Sequence, residues 1–398
     1  MSRRASLFSK LGFFVPLALL IVVAFVDYSH AQVRAGDAEF IPLGMLSGKN
    51  HSSALGISPD GRFVVGRSGD EAFRWSQEDG MIDLNFSELS PSNSSPIAED
   101  VSADGSIVVG GDGVANAYRW ENGVVEVIGD LTTIGRTEDS PGGTRMVSGH
   151  GMSADGSVIV GNTPGAAESD SFRIVNGQIE PIGDLPGGRH ASGASSVSAD
   201  GTVVAGTGRS ERGGEVYRWE DGTMEPLGDL DGGDFRSKSR MVSADGSTIV
   251  GWGTSELGRE AFVWTRESGM VGIGDLPGET TDSVARAVNG DGSVVVGGAN
   301  GGGPTEDLDA FIWDEQNGMR HLQNVLVADY GLGDALSGWT LLLAGAISDD
   351  ASTIAGAGIN PDGLIEAFVV NLSQVPEPNS MVLALTGIVW LVSFRRRS

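Results

Sequence analysis

The 398-residue chain carries 53 acidic and 26 basic residues, a formal net charge of −27. A surface this acidic repels nucleic acid and anionic lipid, which argues against either as a direct ligand, and it favours cationic ones. Cysteine is absent, so the chain has no disulfides, no thiolate ligands for a metal and no cysteine nucleophile.

The N-terminal segment has the three parts of a secretory signal. Three basic residues precede an apolar run over residues 11–26, and the small residues Ser29 and Ala31 occupy the −3 and −1 positions of a cleavage site. We therefore predict a signal peptide over residues 1–31, cleaved between Ala31 and Gln32. An uncleaved N-terminal anchor is the alternative.

A turn of the form Ser/Asn-x-Asp-Gly recurs along the chain at intervals of 44 to 59 residues, the period of four-stranded propeller blades. Its aspartates are Asp60, Asp104, Asp155, Asp200, Asp245, Asp291 and, in a degenerate seventh copy, Asp350. The glycine closes the turn in a left-handed conformation. Ala351 takes its place in the seventh copy, so we expect a modified turn there.

The order of strands within the repeats predicts how the fold closes. Each unit reads as a strand, the Asp-Gly turn, a β-branched strand, an aromatic third strand such as Glu215–Trp219, and a fourth strand. The seventh unit ends with its third strand, Glu366–Leu372, while residues 40–46 match the fourth strand at residues 225–230. We predict an all-β, seven-bladed β-propeller over residues 32–374, closed by one N-terminal and three C-terminal strands. An open solenoid is the alternative.

The connections differ in length between the two ends of such a ring. The first and third are short turns, whereas the second and fourth are long and dissimilar over residues 132–145, 163–169, 207–214 and 299–308. Binding residues concentrate in loops on a rigid scaffold, so we expect a ligand at the long-connection face. His51 and His190 fall in equivalent fourth connections of that face.

The largest departure from the repeat is the segment 321–343, which contains Tyr330 and Trp339. Insertions of this length inside compact domains are often functional. We interpret it as a short helix and strand that plug or cap the channel, with contact to a ligand as the alternative.

The C-terminal segment 375–398 combines a short motif, an apolar stretch over residues 380–394 and a basic end. Its defining residues are Val375, Pro376, Glu377, Pro378, Arg395, Arg396 and Arg397. The stretch would rise about 23 Å as a helix, which spans a thinned bilayer with the arginines on the cytoplasmic side. We therefore predict a C-terminal transmembrane helix with the preceding chain outside the cytoplasm.

The C-terminal segment resembles the PEP-CTERM sorting signal. That resemblance implies an exosortase-type processing enzyme that removes the tail, a transient membrane anchor, and a cell-surface or secreted product. The aromatic third strands, such as Glu71–Trp75 and Glu215–Trp219, and Gly-Asp-Leu-Pro-Gly elements such as residues 183–187 resemble the extracellular HAF-repeat family. Glu, Asn or Asp replaces the histidine of the HAF motif in every copy, so no role of that histidine carries over.

No catalytic constellation stands out among the remaining residues. The histidines lack metal-ligand spacing, and no cofactor motif is evident. Acidic groups at residues 70–71, 211–215 and 306–309 are typical of solvated loops, although paired carboxylates also hydrolyse glycans. We expect a noncatalytic protein that binds an extracellular polysaccharide or surface protein. A glycan-active enzyme and a calcium-dependent adhesin are the alternatives.

Overall fold

The computed structural model describes residues 38–90, 94–112, 116–128, 148–162, 170–189, 191–277, 281–300 and 308–372. These ranges contain 28 β-strands, one α-helix and one 3₁₀ turn, so the prediction of an all-β chain is confirmed. The predicted signal peptide with its Ala31–Gln32 cleavage site, and the sorting segment from Val375 to Arg397, lie outside the described residues. None of the helices within those ranges is long and apolar enough to cross a membrane.

Strand β1 (Glu39–Gly44) is followed by sets of consecutive antiparallel strands, which we number sheets 1 to 7. Sheet 1 contains β2–β5, at Ser52–Ile57, Phe63–Ser68, Glu71–Ser76 and Gly80–Asp83. Sheet 2 contains β6–β9, at Ile97–Val101, Ile107–Gly111, Ala117–Glu121 and Val124–Ile128. Sheet 3 contains β10–β13, at Ser148–Met152, Val158–Asn162, Ser171–Val175 and Gln178–Gly183. Sheet 4 contains β14–β17, at Gly193–Val197, Val203–Ser210, Gly213–Glu220 and Thr223–Gly228.

Sheet 5 contains β18–β21, at Lys238–Val242, Thr248–Ser255, Gly258–Thr265 and Gly269–Gly272. Sheet 6 contains β22–β25, at Thr281–Val288, Val294–Asn300, Leu308–Asp314 and Gly318–His321. Helix α1 (Leu322–Ala328) then leads to sheet 7, whose strands β26–β28 lie at Thr340–Ile347, Thr353–Ile359 and Ile365–Asn371. The 3₁₀ turn Phe86–Glu88 follows β5.

Strand β1 is the fourth strand of sheet 7. It pairs antiparallel with β28, with Ile41 opposite Val369, and the order in the sheet is β1-β28-β27-β26. The predicted pairing of one N-terminal strand with three C-terminal strands is therefore confirmed. Because β1 covers the edge of β28, the last sheet does not end in an unpaired third strand.

The junction between β1 and β2 repeats the junctions between other sheets. The hydroxyl of Ser52 donates a hydrogen bond to the carbonyl of Gly44 and accepts one of 2.9 Å from the backbone N–H of Ala367. A serine makes the same two bonds, to a fourth-strand glycine carbonyl and from a third-strand N–H, at Ser192, Ser237 and Ser283. The chain ends are thus joined by the bonds that join consecutive repeats.

The first strands of the sheets form a circuit. β2 contacts β6, and the contacts continue through β10, β14, β18, β22 and β26 back to β2. The second strands are apolar on both faces, as in β7, where every residue is buried. Such runs are expected where each sheet packs between two neighbours. This radial arrangement of four-stranded sheets is the architecture of a β-propeller.

The Asp-Gly turns have the predicted geometry. In sheet 3, for example, the hydroxyl of Ser153 donates to Asp155 at 2.7 Å and accepts from the N–H of Val158 at 2.9 Å. The expectation of a modified seventh turn is wrong. Ala351 adopts the left-handed conformation of the glycines, with φ of 58°, and Ser348 N–H still donates to the Thr353 carbonyl at 2.9 Å. The seventh turn therefore keeps its hydrogen bonds, although the left-handed conformation of Ala351 is strained.

Tryptophans at the end of the third strands fill the spaces between sheets. Trp120 of sheet 2 packs with Val65 of sheet 1, and Trp219 of sheet 4 packs with Val160 of sheet 3. Sheet 7 has Val370 at this position. There the residues after sheet 6 supply the missing volume from Leu322, Leu326, Leu332, Leu336 and Trp339.

The segment 321–343 therefore forms the predicted helix and strand, but not where we expected them. Helix α1 packs on β24, β25 and β26, outside the central channel. The expectation that the insertion plugs or caps the channel is wrong, because its bulk is used to fill the space between sheets 6 and 7.

Candidate functional site

Each first strand contains a β-bulge at the same position, three residues before the serine or asparagine of its turn. The pairing register skips one residue there in every sheet. A bulge leaves the extra residue unpaired and redirects its side chain. The seven skipped residues, which we call the bulge ring, are Leu55, Glu99, His150, Ser195, Arg240, Arg286 and Gly345.

All seven residues of the bulge ring line one cavity of about 580 Å³ in the centre of the circuit. Most of the remaining lining comes from the beginnings of first strands, such as residues 191–194 and 236–239, and from the β15–β16 hairpin at Thr207, Gly208, Arg209 and Gly214. The cavity therefore lies at the end of the ring that carries the second and fourth connections.

The opposite end of the ring is tied together by its turns. The first or second residue after the serine or asparagine of one turn donates a backbone hydrogen bond to the next turn, as from Ala103 to Ala154 at 2.9 Å. The series continues through Ala154–Ala199, Ala199–Ala244, Asp245–Gly290, Gly290–Asp349 and Asp349–Pro59. The remaining junction joins the turn of Pro59 to the turn of Ala103. Proline has no N–H, so Pro59 cannot donate the equivalent bond.

In one part of the bulge ring, an acidic and a basic side chain pair with each other. The Glu99 carboxylate pairs with Nδ1 of His150, whose Nε2 lies 2.8 Å from the amide oxygen of Asn162. Burial opposes a charge on this imidazole, but the adjacent Glu99 carboxylate outweighs it and raises the pKa of His150. The neighbouring Asp100 accepts a 2.8 Å bond from the N–H of Met152, and burial raises its pKa to about 7.

The other charged part of the bulge ring is not neutralised. In the described parts of the chain, the guanidinium groups of Arg240 and Arg286 have no hydrogen bond and no ion pair, and the Nε atom of each is buried. Burial and the adjacent Arg286 lower the pKa of Arg240 to about 10. Burial and the nearby arginines also lower the pKa of Lys238, as expected where positive charges crowd together.

The charge of the cavity lining is opposite in sign to the net charge of the whole chain. Among the lining residues Arg209, Arg236, Lys238, Arg240 and Arg286 are basic, whereas Glu99 is the single carboxylate. The chain as a whole carries a net charge of −27. Because low-dielectric walls focus the field of a cleft, an anion is attracted here and repelled elsewhere.

The candidate residues His51, Tyr330 and Trp339 lie outside this cavity. His51 is in the connection between β1 and β2, beside Asn50, and does not line the cavity. Trp339 is buried with its ring centroid 5.0 Å from that of Phe40, and Tyr330 packs on the same cluster. His190 lies outside the described residues. The sequence did not predict a role for Glu99, His150, Arg240 and Arg286. Each of them lies three positions before the serine or asparagine of its turn.

Most of the loop carboxylates that the structure describes have a partner. Asp70 pairs with Lys49, and the buried Glu215 accepts a 3.1 Å bond from the N–H of Gly228. Residues 306 and 307 lie outside the described residues. Within the described ranges no group of three or more His, Asp or Glu side chains is arranged to hold a metal ion.

One predicted long connection is in fact short. Residues 207–214 were expected to form a loop, but β15 extends to Ser210 and β16 begins at Gly213, leaving only Glu211 and Arg212 between them. The prediction was wrong because backbone pairing continued into a polar, glycine-containing stretch. The extended hairpin places Thr207, Gly208 and Arg209 in the cavity wall.

No protein-family model matches the chain, and neither does any curated protein. Among solved structures the fold is similar to TolB from Acinetobacter baumannii, with 15% identity, a TM-score of 0.41, and coverage of 67% of this chain and 61% of that chain. It is also similar to the β-propeller domain of the Trilobed protease from Pyrococcus furiosus, with 11% identity, a TM-score of 0.49, and coverage of 83% and 100%.

Proposed function

We propose that the chain is an exported, noncatalytic, seven-bladed β-propeller that binds an extracellular polymer or protein partner. In this proposal sheets 1 to 7 are the blades of a closed ring, and the chain is a HAF-repeat protein with a PEP-CTERM-type tail. An exosortase-type enzyme would cleave that tail, leaving the protein in the envelope, at the cell surface or outside the cell.

The cavity at the long-connection end supports this proposal. Its volume of about 580 Å³ is in the range of ligand pockets, and every first strand contributes a residue to its wall. Rigid strands hold these residues, so little ordering is required when a ligand binds. Among the loop carboxylates, Asp70 is held by Lys49 and Glu215 by Gly228, which favours binding over glycan hydrolysis at these two residues.

A binding assay with a blocked cavity tests the proposal. We would measure retention of a panel of polysaccharides and surface proteins by the purified protein, and in parallel any release of products. Ser195→Trp places an indole at the bulge ring and should abolish retention, whereas Thr223→Trp on the exposed face of β17 should not. Retention that survives Ser195→Trp would place the binding site elsewhere. Product release would make the chain a glycan-active enzyme.

A further inference from the structure

Arg240 and Arg286 hold equivalent positions on adjacent first strands, β18 and β22. Both are bulge residues, so the same local geometry directs both into the cavity. Leaving a charged group half-buried without a partner is unfavourable, and two like charges side by side increase the cost. An anion bound between the two guanidinium groups would give each of them a partner and would reduce the repulsion between their like charges.

The described wall of the cavity supplies that anion only in part, because Glu99 acts on Arg240 from a distance and forms no ion pair with either arginine. Its single carboxylate, Glu99, is on β6 and pairs with His150 on β10. A further polar atom lacks a partner beside the arginines, because the buried hydroxyl oxygen of Ser239, which is 1% exposed, accepts and donates no hydrogen bond. Two guanidinium groups, an ammonium group at Lys238 and a free hydroxyl are the donors that an oxyanion requires.

We propose that Arg240, Arg286, Lys238 and Ser239 form an oxyanion-binding site, and that the ligand of the cavity is an acidic saccharide whose carboxylate or sulfate occupies it. The inference rests on the proposed function and names its ligand class. Arginine is suited to this role because its planar fork binds two oxygens of one group. The hydroxyls of Ser195 and Thr207 in the same wall offer bonding partners to sugar hydroxyls.

The rest of the surface makes the site selective. With a net charge of −27, the protein repels an acidic polymer everywhere except where the positive cavity outweighs that field. Binding should therefore weaken as salt increases, because the attraction involves charges that remain partly accessible to solvent. It should also raise the midpoint of thermal unfolding, since the anion relieves repulsion in the folded state.

Calorimetric titration and thermal unfolding of the full chain test the inference. The probes are a galacturonate trimer, its methyl-esterified neutral form, inorganic sulfate and inorganic phosphate, all at one ionic strength. We expect the acidic trimer to bind and the neutral trimer to bind at least about tenfold more weakly, because charged hydrogen bonds are lost. Binding of inorganic sulfate or phosphate at the same residues would retain the oxyanion site but make its ligand a free anion.

Matched variants locate the site. Arg240→Gln and Arg286→Gln should each weaken binding of the trimer about tenfold or more, and each should raise the unfolding midpoint of the unliganded protein. Arg266→Gln, an exposed arginine paired with Glu220 and Glu225, should change neither. Equal binding of the acidic and neutral trimers, or unchanged binding in Arg240→Gln and Arg286→Gln, would overturn the inference. Retention of a neutral polymer that Ser195→Trp abolishes would leave the proposed function in place while excluding the oxyanion site.

Discussion

The backbone N–H of Gly44 donates a hydrogen bond of 2.9 Å to Oε1 of Glu366, 322 residues later in the chain. The equivalent glutamates of sheets 4 and 5, Glu215 and Glu260, accept the same bond from Gly228 and Gly274. The glutamate two residues before the aromatic residue of each of these third strands thus holds the fourth strand onto the third. In sheet 7 it holds the N-terminal strand.

Glu366→Ala should therefore weaken the closure. The substitution leaves the N–H of Gly44 and the amide of Asn360 without their acceptor, and unpaired buried donors cost about 1–3 kcal/mol each. We expect urea unfolding to show a loss of about 2 kcal/mol. Glu225→Ala, which removes an exposed side chain of β17, is the control. Equal stability of the two variants would contradict a role of Glu366 in closure.

The seventh turn offers a stabilising substitution. Ala351 has φ of 58°, where an L side chain costs about 1–2 kcal/mol and glycine costs little. Ala351→Gly should raise the free energy of unfolding by about 1 kcal/mol in urea titrations. Gly363→Ala is the reverse test, since Gly363 has φ of 79° with open space around it, and it should lose a similar amount. A destabilised Ala351→Gly would show that the turn carries no strain.

Sheet 3 has Ile174 where most third strands have tryptophan, and a space of about 800 Å³ lies beside it between sheets 2 and 3. Ile174→Trp should place its indole in part of this space, over Arg119, as Trp120 lies over Arg74 at 5.2 Å. We expect a gain of about 1 kcal/mol in thermal or urea unfolding from the additional apolar burial. Val370→Trp, at the same position in the filled sheet 7, should lose about 1–3 kcal/mol by overpacking. A loss in both variants would mean that the space collapses in solution.

The turn aspartates predict a loss of stability in acid. Hydrogen bonds, first from Ser106, lower the pKa of Asp104 to about 2, and the pKa values of Asp155, Asp200 and Asp291 are also lowered. A carboxyl whose folded pKa lies below its unfolded value stabilises the fold above the unfolded value, near 4, and loses that contribution as pH falls through the folded value.

We therefore expect the stability difference between the wild type and Asp104→Asn to be largest at pH 7 and to shrink progressively from about pH 4 to pH 2. Because Asp104 is exposed, solvent screening keeps this difference to about 1 kcal/mol or less. Urea unfolding at intervals from pH 7 to pH 2 measures it. A difference that stays constant across this range would show that the carboxylate charge makes no contribution.

The features that could be predicted from the sequence are those in which the same residue types recur in each repeat. The Asp-Gly turns recur with a serine or asparagine two residues before the aspartate, and the match between residues 40–46 and a fourth strand predicted the pairing of β1 with β28. Local turn chemistry and a constant period fix such features whatever the rest of the fold does.

The bulge ring could not be predicted in the same way. Its members include Leu55, His150, Arg240 and Gly345, which share a position but no chemistry. Their direction depends on a one-residue shift in the pairing of each first strand, and a one-residue shift exchanges the two faces of a strand. The left-handed Ala351 was missed for a related reason, because bonds from its neighbours outweigh its own preference.

A cysteine pair across β1 and β28 tests the central claim that the two ends of the described chain share one sheet. The chain has no cysteine, so Ile41→Cys with Val369→Cys introduces the only thiols, at directly paired positions. Facing residues in antiparallel strands are within disulfide reach, whereas the next residue points to the other face. Intact-mass and thiol-labelling measurements should show a disulfide in this variant and free thiols in Ile41→Cys with Val370→Cys. Free thiols in the first variant would contradict the closed ring.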